Sequence, residues 1–418
     1  MTSPNDAFKK ITVVGLGYIG LPTAATLATR GVEVFGVDIN DEVVSCINEG
    51  KAHFSEPDLD ILLEAAVSTG KLRAYCEPKP ADAFIIAVPT PLREDRSADL
   101  SHVETATRSI SQLLKPGNLI VIESTCPVGT TEKVCGWIAE ERPDLEVPRE
   151  PKAGDIQIAY CPERILPGNM VFELVHNDRI IGGVSPKCSA RAEDLYRLFL
   201  RGEVLRTSSA VAELVKLAEN AYRDVNIGFA NELSNVCDKL GVDVWETIEL
   251  ANRHPRVNIL RPGPGVGGHC IAVDPWFLIS MASEVTPLMR AARTVNDEKP
   301  RIVVDAVRRN IDRFKRPTVA CLGLAYKPDV DDLRESPALQ IAETLAFDDI
   351  DLVIVEPHLR VLPETLAQRN NVSKDDFNAA LRKSDIVVVL TAHSAFRAAS
   401  REQLLRRVVI DTVGLWQS

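Results

Sequence analysis

An apolar run, Lys10 to Val14, leads directly into Gly15-Leu16-Gly17-Tyr18-Ile19-Gly20, and a helical apolar pattern follows through Arg30. A strand that turns through three glycines at this spacing into a helix has few structures open to it. The first glycine permits a tight turn, the second lets backbone approach a pyrophosphate, and the third lets the helix pack on the strand. Free N–H groups and the helix dipole then favour an anion at the helix start. A second strand, Val32 to Val37, ends at Asp38, 18 residues after Gly20. An acid in that place accepts hydrogen bonds from ribose hydroxyls and repels a 2′-phosphate, which favours NAD over NADP. No Arg or Lys lies beside Asp38, and position 40 is Asn. A lone glycine motif leaves one alternative open, a turn in some other α/β protein.

The surrounding pattern extends this start. Further short apolar runs fall at Ala83 to Val88, Leu119 to Ile122, Ile156 to Tyr160 and Arg179 to Ile181, separated by helical stretches. Such alternation predicts a parallel, doubly wound sheet. The Pro-rich, charged stretch Arg142 to Asp155 reads as a surface loop. From Ser209 to Leu240 apolar residues recur at helical spacing, as one long helix or a kinked pair, with more helix at Val244 to Ala251. Strand-like runs return at Pro317 to Leu322, Leu352 to Val355, Ile386 to Leu390 and Val408 to Ile410. The expected class is therefore α/β: two Rossmann-like doubly wound parallel-sheet domains, 1–208 and 303–418, joined by a helical central domain, 209–302. A long helix between two such domains is expected to bury its second face on another copy, giving a homodimer.

Composition narrows the function. The 418 residues carry a net charge of -11, which argues against nucleic acid or an anionic membrane as the partner. Nine scattered Cys without a CxxC pair suggest reduced thiols in the cytoplasm. The polar start, Met1 to Lys10, lacks a signal-peptide core, and no apolar run approaches the roughly 18 residues of a membrane span. No metal site is assigned.

Chemistry-bearing residues cluster in a few places. Gly263-Pro264-Gly265-Val266-Gly267-Gly268-His269-Cys270 sets a thiol behind a loop that backbone or ligand can approach closely. Cys270 is either a nucleophile or a simply buried thiol. Asp274-Pro275 is a helix start, and Asp274 could serve as a cap, a catalytic group or both. Lys216, Asn220 and Arg223 line one helix face, as a reactive stripe or as a solvated one with Lys216 paired to Glu213 or Glu219. Glu163 and Arg164, after the run ending at Tyr160, could polarise water and bind an anion, or form a surface ion pair. Thr90 in Val88-Pro89-Thr90-Pro91 and Thr125 in Glu123-Ser124-Thr125 end strands, where cofactor clefts of open sheets are lined.

These motifs occur together, in order, in one arrangement. The chain resembles the UDP-glucose/UDP-N-acetylmannosamine dehydrogenase family through GLGYIGLP (15–22), VPTP (88–91), EST (123–125), CPER (161–164), the Lys216/Asn220 helix, GVGGHCIAVDP (265–275) and GLAYKPDVDDLRES (323–336). CPERILPG (161–168), ANRHPRVNIL (251–260) and GHCIAVDPWF (268–277) are most similar to its UDP-N-acetyl-D-mannosamine dehydrogenase branch. The resemblance implies an NAD-dependent oxidation of a UDP-sugar at C6, by two hydride transfers and through a thiohemiacetal and a thioester on Cys270. It implies Lys216, Asn220, Asp274 and Glu163 as further catalytic groups, Glu163 for water activation. It gives Gly15, Gly17, Tyr18, Ile19, Gly20, Asp38, Thr90, Thr125 and Arg334 to the cofactor. To the UDP-sugar it gives Arg164, Ile165, Lys216, Asn220, Arg223, His254, Arg256, Gly267, Tyr326 and Lys327. UDP-N-acetylglucosamine and UDP-glucose are the alternative substrates, and a two-electron 3-hydroxyacid-type dehydrogenase is the alternative chemistry.

Overall fold

A computed structural model of the chain describes residues 8–416 apart from 55, 150, 151, 153, 166, 167, 400 and 406. Leu166 and Pro167 of the 161–168 stretch, the polar start before residue 8 and part of the 142–155 loop thus lie outside the described residues. Internal contacts divide the chain into two units, Met1–Ala218 and Glu219–Ser418.

The first unit is built on eight strands: β1 (Lys10–Val14), β2 (Glu33–Val37), β3 (Leu72–Tyr75), β4 (Ala83–Ile86), β5 (Leu119–Ile122), β6 (Gln157–Tyr160), β7 (Arg179–Gly183) and β8 (Val204–Ser208). Their order is β3-β2-β1-β4-β5-β6-β7-β8. The pairs are parallel except β6 with β7, which is antiparallel. Every residue of β4, β5 and β6 is buried, the near-continuous apolar run expected where both faces of a sheet are covered. Side chains alternate between the faces: Ala83, Ile85, Leu119 and Val121 join one core, and Phe84, Ile86, Ile120 and Ile122 join the other. Strand order reverses between β1 and β4, and that reversal opens the crevice where open α/β sheets take ligands. The first helix, α1 (Gly20–Thr29), starts at this crevice.

The long apolar pattern forms one continuous helix, α2 (Ser209–Leu240), of 32 residues, and the boundary between the units falls within it. In the second unit follow α3 (Val244–Ala251), α4 (Asp274–Met281) and α5 (Pro287–Ile311). A buried polar seam ties α2 to α5. Arg293 Nη1 donates to Asp224 Oδ1 at 2.6 Å, Asn296 Nδ2 to the same oxygen at 2.8 Å, and Asn231 Nδ2 to Asn296 Oδ1 at 2.9 Å. Asn231 Oδ1 in turn accepts from Gly263 N at 2.9 Å, so the seam also holds the start of the glycine-rich loop.

The second sheet has five parallel strands, β9 (Thr318–Leu322), β10 (Asp351–Val355), β11 (Val372–Lys374), β12 (Ile386–Val389) and β13 (Val408–Asp411), in the order β11-β10-β9-β12-β13. Three strands escape the sequence pattern: β3, β8 and β11. Each stands at the edge of its sheet, where one side faces water and the apolar run is broken. No helix among the described residues is long and apolar enough to cross a membrane.

Candidate active site

In the first unit the glycines behave differently from one another. Gly15 adopts φ +92, and a Cβ there would stand 2.5 Å from Ala87 O. A Cβ on Gly20 would stand 1.8 Å from Gly15 O, so only glycine lets α1 seat on the turn. A Cβ on Gly17 would meet nothing within 4 Å. The space beside Gly17 fits the approach of a ligand phosphate rather than a packing need. Ile19 stands at the N-cap of α1 with no side-chain cap; Leu21 N donates to Gly17 O at 3.1 Å and position 22 is Pro, so the Gly20 N–H is the first-turn donor open to an anion. Asp38 is half-buried at the end of β2, where Oδ2 accepts from Leu16 N and Oδ1 from Asn40 N, both at 3.0 Å. Tyr18 stacks on Phe54 with centroids 4.2 Å apart. Thr90 Oγ1 donates to Thr125 O at 2.6 Å, fastening the ends of β4 and β5 together. Turn, open face, helix start and an acid closing β2 together fit a dinucleotide.

Behind that crevice lies a buried charge cluster that the sequence did not reveal. Arg179, at the start of β7, is 3% exposed and lies between Glu163 and Glu123. Its Nη2 donates to Glu163 Oε2 at 2.6 Å, while Nη1 is 3.9 Å from Glu123 Oε1. Glu123 accepts from Tyr196 Oη at 2.6 Å and from Thr23 Oγ1 at 3.4 Å. Burial pushes the Glu123 carboxyl up to about 7, with the Glu163 charge adding to the rise and Arg179 opposing it. The other Glu163 oxygen accepts from Arg164 N at 2.7 Å. Arg164 also donates through Nη2 to Asp178 O, and Ile165 packs on the core. Glu163 is thus mounted inside the fold. Its place among buried partners had no local signal beyond a charged residue opening an apolar strand.

In the second unit Cys270 is half-buried, unlike the six buried thiols 126, 135, 161, 188, 237 and 321. Burial pushes Cys161 up to about 11 and Cys321 up to about 12, which leaves them protonated at neutral pH. Exposed Cys76 is also pushed up, by its bond to Asp41. Cys270 O accepts from Asp274 N at 2.8 Å, so the thiol sits one turn before α4. Asp274 is only 2% exposed and makes no side-chain cap; it stands in the first turn of α4, and Val273 is the N-cap. Its Oδ2 instead accepts from Asn220 Nδ2 at 2.5 Å, joining α2 to the Cys270 segment.

The glycines before Cys270 have a neighbour that explains them. A Cβ on Gly267 would stand 2.6 Å from Glu335 O and 2.7 Å from Tyr326 Cβ, and one on Gly268 2.9 Å from the Tyr326 ring. Gly268 N donates to Arg334 O at 3.0 Å. The structure thereby brings Gly267, Tyr326 and the Arg334 backbone beside the thiol segment. The Arg334 guanidinium pairs with Asp332 at 2.6 Å, and Lys327 is half-buried.

The stripe on α2 divides. Lys216 is 9% exposed, whereas Arg223 is exposed. The solvated reading fails for Lys216, and Glu213 is committed elsewhere, to Gly129 N, Thr131 N and Thr131 Oγ1 at 2.7, 2.8 and 2.6 Å. His254 and Arg256 lie on an exposed turn after α3. Among the described residues, one group of three side chains has metal-ligand spacing: Asp329, His358 and His393.

Comparison with known proteins places these features in a family. Residues 9–200 match the NAD binding domain of the UDP-glucose/GDP-mannose dehydrogenase family, 210–298 its central domain and 320–418 its UDP binding domain. An NDP-N-acetyl-D-galactosaminuronic acid dehydrogenase of Ralstonia nicotianae is 55% identical, over 98% of this chain and 97% of that protein. A UDP-N-acetyl-D-mannosamine dehydrogenase of Yersinia pestis is 51% identical, over 98% and 100%. The solved UDP-D-ManNAc dehydrogenase of Pyrococcus horikoshii superposes with a TM-score of 0.87 at 38% identity, over 98% of this chain and 96% of that one.

Proposed function

The chain belongs to the UDP-glucose/GDP-mannose dehydrogenase family, and from that premise we propose that it oxidises C6 of a UDP-N-acetylhexosamine, UDP-N-acetyl-D-mannosamine foremost, to a carboxylate through a thioester on Cys270. It is an NAD-dependent oxidoreductase acting on a nucleotide sugar. The three matched regions support the division into 1–208, 209–302 and 303–418. NAD, when bound over Gly15, Gly17 and Gly20 with its ribose at Asp38, supplies the two-electron acceptor for each hydride.

The residues of the chain carry the rest. Lys216, buried and one helical turn from Asn220, takes the proton of the C6 hydroxyl and steadies the oxygen left behind. An amide nitrogen has two hydrogens, and Asp274 accepts one from Asn220. The second is left to donate to the same oxygen, a contribution of about 3 kcal/mol at comparable oxyanion sites. The Cys270 thiolate adds to the aldehyde carbon, giving a thiohemiacetal. Loss of a second hydride leaves the thioester, and water opens it to carboxylate and free thiol. One sugar, two NAD and one water give one uronate, two NADH and three protons. Tyr326, Lys327, Arg164, Ile165, Arg223, His254 and Arg256 are proposed for the UDP-sugar, and Arg334, Tyr18, Ile19, Thr90 and Thr125 for the cofactor.

For Glu163 a second reading is favoured by its partners. With one oxygen on Arg179 and the other on Arg164 N, it mounts the Arg164 segment rather than activating water. An N-acetylgalactosamine substrate is favoured by the 55% relative. The observation that carries the chemistry is the half-buried thiol on a glycine-packed segment whose Asp274 orients Asn220. A substrate panel with NADH counted per uronate tests it: two NADH are expected, and one NADH would establish two-electron chemistry instead. Cys270→Ala is expected to abolish uronate formation, and full activity in that variant would remove the thioester. Exposed Tyr222, Phe229 and Val236, spaced seven apart on α2, support a homodimer, which light scattering showing a monomer would remove. Nine thiols, none joined in a disulfide, fit a cytoplasmic location, checked by fractionation.

A further inference from the structure

The turn that opens the first sheet is repeated in the second, with one change of use. Gly15-Leu16-Gly17-Tyr18 follows β1, and Gly323-Leu324-Ala325-Tyr326 follows β9. Gly323 has φ +89 as Gly15 has φ +92. Gly15 N donates to Val37 O and Gly323 N to Val355 O, both at 2.8 Å. Leu16 N donates to Asp38 Oδ2 at 3.0 Å, and Leu324 N to Glu356 Oε2 at 2.7 Å. Glu356 therefore stands, at the end of β10, where the ribose-reading acid stands in the first unit.

Its surroundings remove it from that task. Glu356 is 2% exposed, and its Oε2 also faces Ala325 N at 3.2 Å and His393 Nε2 at 3.1 Å. Its Oε1 accepts from His358 N at 3.1 Å. These donors hold the Glu356 carboxyl below its usual range although burial raises it. His393, fully buried, accepts from Asp329 N through Nδ1 at 2.9 Å. That bond puts the ring proton on Nε2, aimed at Glu356, and leaves no ring lone pair for a metal ion. The chain between needs such holding. Position 328 is Pro where Gly20 stands in the first turn, and the next helix starts only at Pro337. Residues 324–336 thus form a long loop, carrying Tyr326 and Lys327.

We propose that Glu356 and His393 form a buried clamp that sets the 324–329 segment in its ligand-competent conformation, as positioning residues for Tyr326 and Lys327. Glu356 fixes the segment's start at Leu324 and Ala325, and His393 fixes its far end at Asp329. Thr391 Oγ1 adds a bond to Ala325 O at 2.6 Å. The clamp rests on the reading that Tyr326 and Lys327 bind the nucleotide of the substrate.

The test measures UDP binding by calorimetry and steady-state constants on the full-length protein. If the segment is competent in only one molecule in ten without the clamp, affinity falls about tenfold. His393→Ala is expected to raise the UDP Kd and the nucleotide-sugar KM by about that factor, with the NAD KM unchanged and kcat changed less than about threefold. His393→Gln keeps a donor for Glu356 and loses the acceptor for Asp329, so it is expected in between, and it carries the test if His393→Ala does not fold. Folded variants that bind UDP like the wild type would overturn the clamp, provided Lys327→Ala weakens binding. If Lys327→Ala leaves UDP binding unchanged, the nucleotide reading itself fails. If a chelator reproduces the His393→Ala defect in the wild type, the cluster with Asp329 and His358 is a metal site and the clamp is overturned.

Discussion

Replacing Glu123 by Gln makes permanent a neutral state that the fold imposes only below a certain pH. Glu123 and Glu163 flank a single guanidinium, and Arg179 sits at 2.6 Å from Glu163 but 3.9 Å from Glu123. Glu123 is therefore the poorly compensated charge, and burial pushes it to about 7 from an ordinary value of 4.5. The folded protein holds a proton there that the unfolded chain has released. Stability from this group is full below about 4.5 and is lost as pH rises through about 7. A rise of this size corresponds to about 3 kcal/mol. Gln keeps the shape and the acceptor for Tyr196 and has no charge to bury. Urea unfolding of wild type and Glu123→Gln, followed by circular dichroism from pH 5 to 8, reads the effect. A gap of under about 1 kcal/mol is expected at pH 5, widening to about 3 kcal/mol in favour of the variant at pH 8. A gap that stays constant across that range would refute the account of one arginine shared unequally by two carboxylates.

The last two glycines of the first turn separate packing from binding. Gly20→Ala drives a Cβ to 1.8 Å from Gly15 O, and a stability loss of roughly 1–3 kcal/mol is expected in thermal unfolding, together with lost NAD binding. Gly17→Ala meets no protein atom within 4 Å, so it should melt like the wild type yet bind NAD weakly by calorimetry. Normal NAD affinity in Gly17→Ala would remove the pyrophosphate from that face. Asp38→Ala deletes the acceptor for Leu16 N and Asn40 N and, on the ribose assignment, the charge that would repel a 2′-phosphate. Its NAD KM should rise by about tenfold or more, the loss of a charge-assisted bond, and the NAD over NADP ratio should fall. An unchanged ratio would refute the ribose assignment.

The sequence exposed the interior of each sheet and one apolar edge, Val408–Asp411, and concealed the three edge strands that carry a basic residue. Ala83 to Ile86 and Leu119 to Ile122 read as strands because both faces are covered and every residue is apolar. Leu72–Tyr75, Val204–Ser208 and Val372–Lys374 did not, because at an edge Arg73, Arg206 and Lys374 are free to face water. A parallel edge strand is defined by its neighbour's hydrogen bonds more than by its own side chains. The long helix was legible in extent because its apolar repeat runs without a break, and its continuity was settled only by the backbone. Asp274 shows the limit of local rules: Asp-Pro announces a helix start, yet the carboxylate turns to Asn220, 54 residues away, instead of capping.

The candidate site follows the same division. Cys270, Lys216 and Asn220 stand out as candidates only through the family motifs, whereas Gly15, Gly20, Gly267 and Gly268 are legible because close approach demands glycine there. The residues that hold them are not, since an Arg, a Glu or a His can be buried anywhere a partner waits. Arg179 and Glu163 meet across 16 residues, and His393 and Glu356 across 37. Neither pair has a spacing that any local pattern encodes. The repeated turn makes the point most directly. Gly-Leu-x-Tyr recurs after β1 and after β9 with the same glycine N–H bond to the neighbouring strand and the same leucine N–H bond to a carboxylate, so the fold reuses one way of leaving a strand. The two residues after the Tyr decide how each turn is used. Ile19-Gly20 enters a helix at once and keeps the acid at Asp38 half-exposed, available to a ribose. Lys327-Pro328 delays the helix until Pro337, and the acid at Glu356 is drawn inside to hold the loop that the delay creates. On the proposed roles, the carboxylate that closes the second strand stays open to a ribose where the helix starts promptly, as at Asp38. Where a long loop intervenes, the same position becomes an anchor.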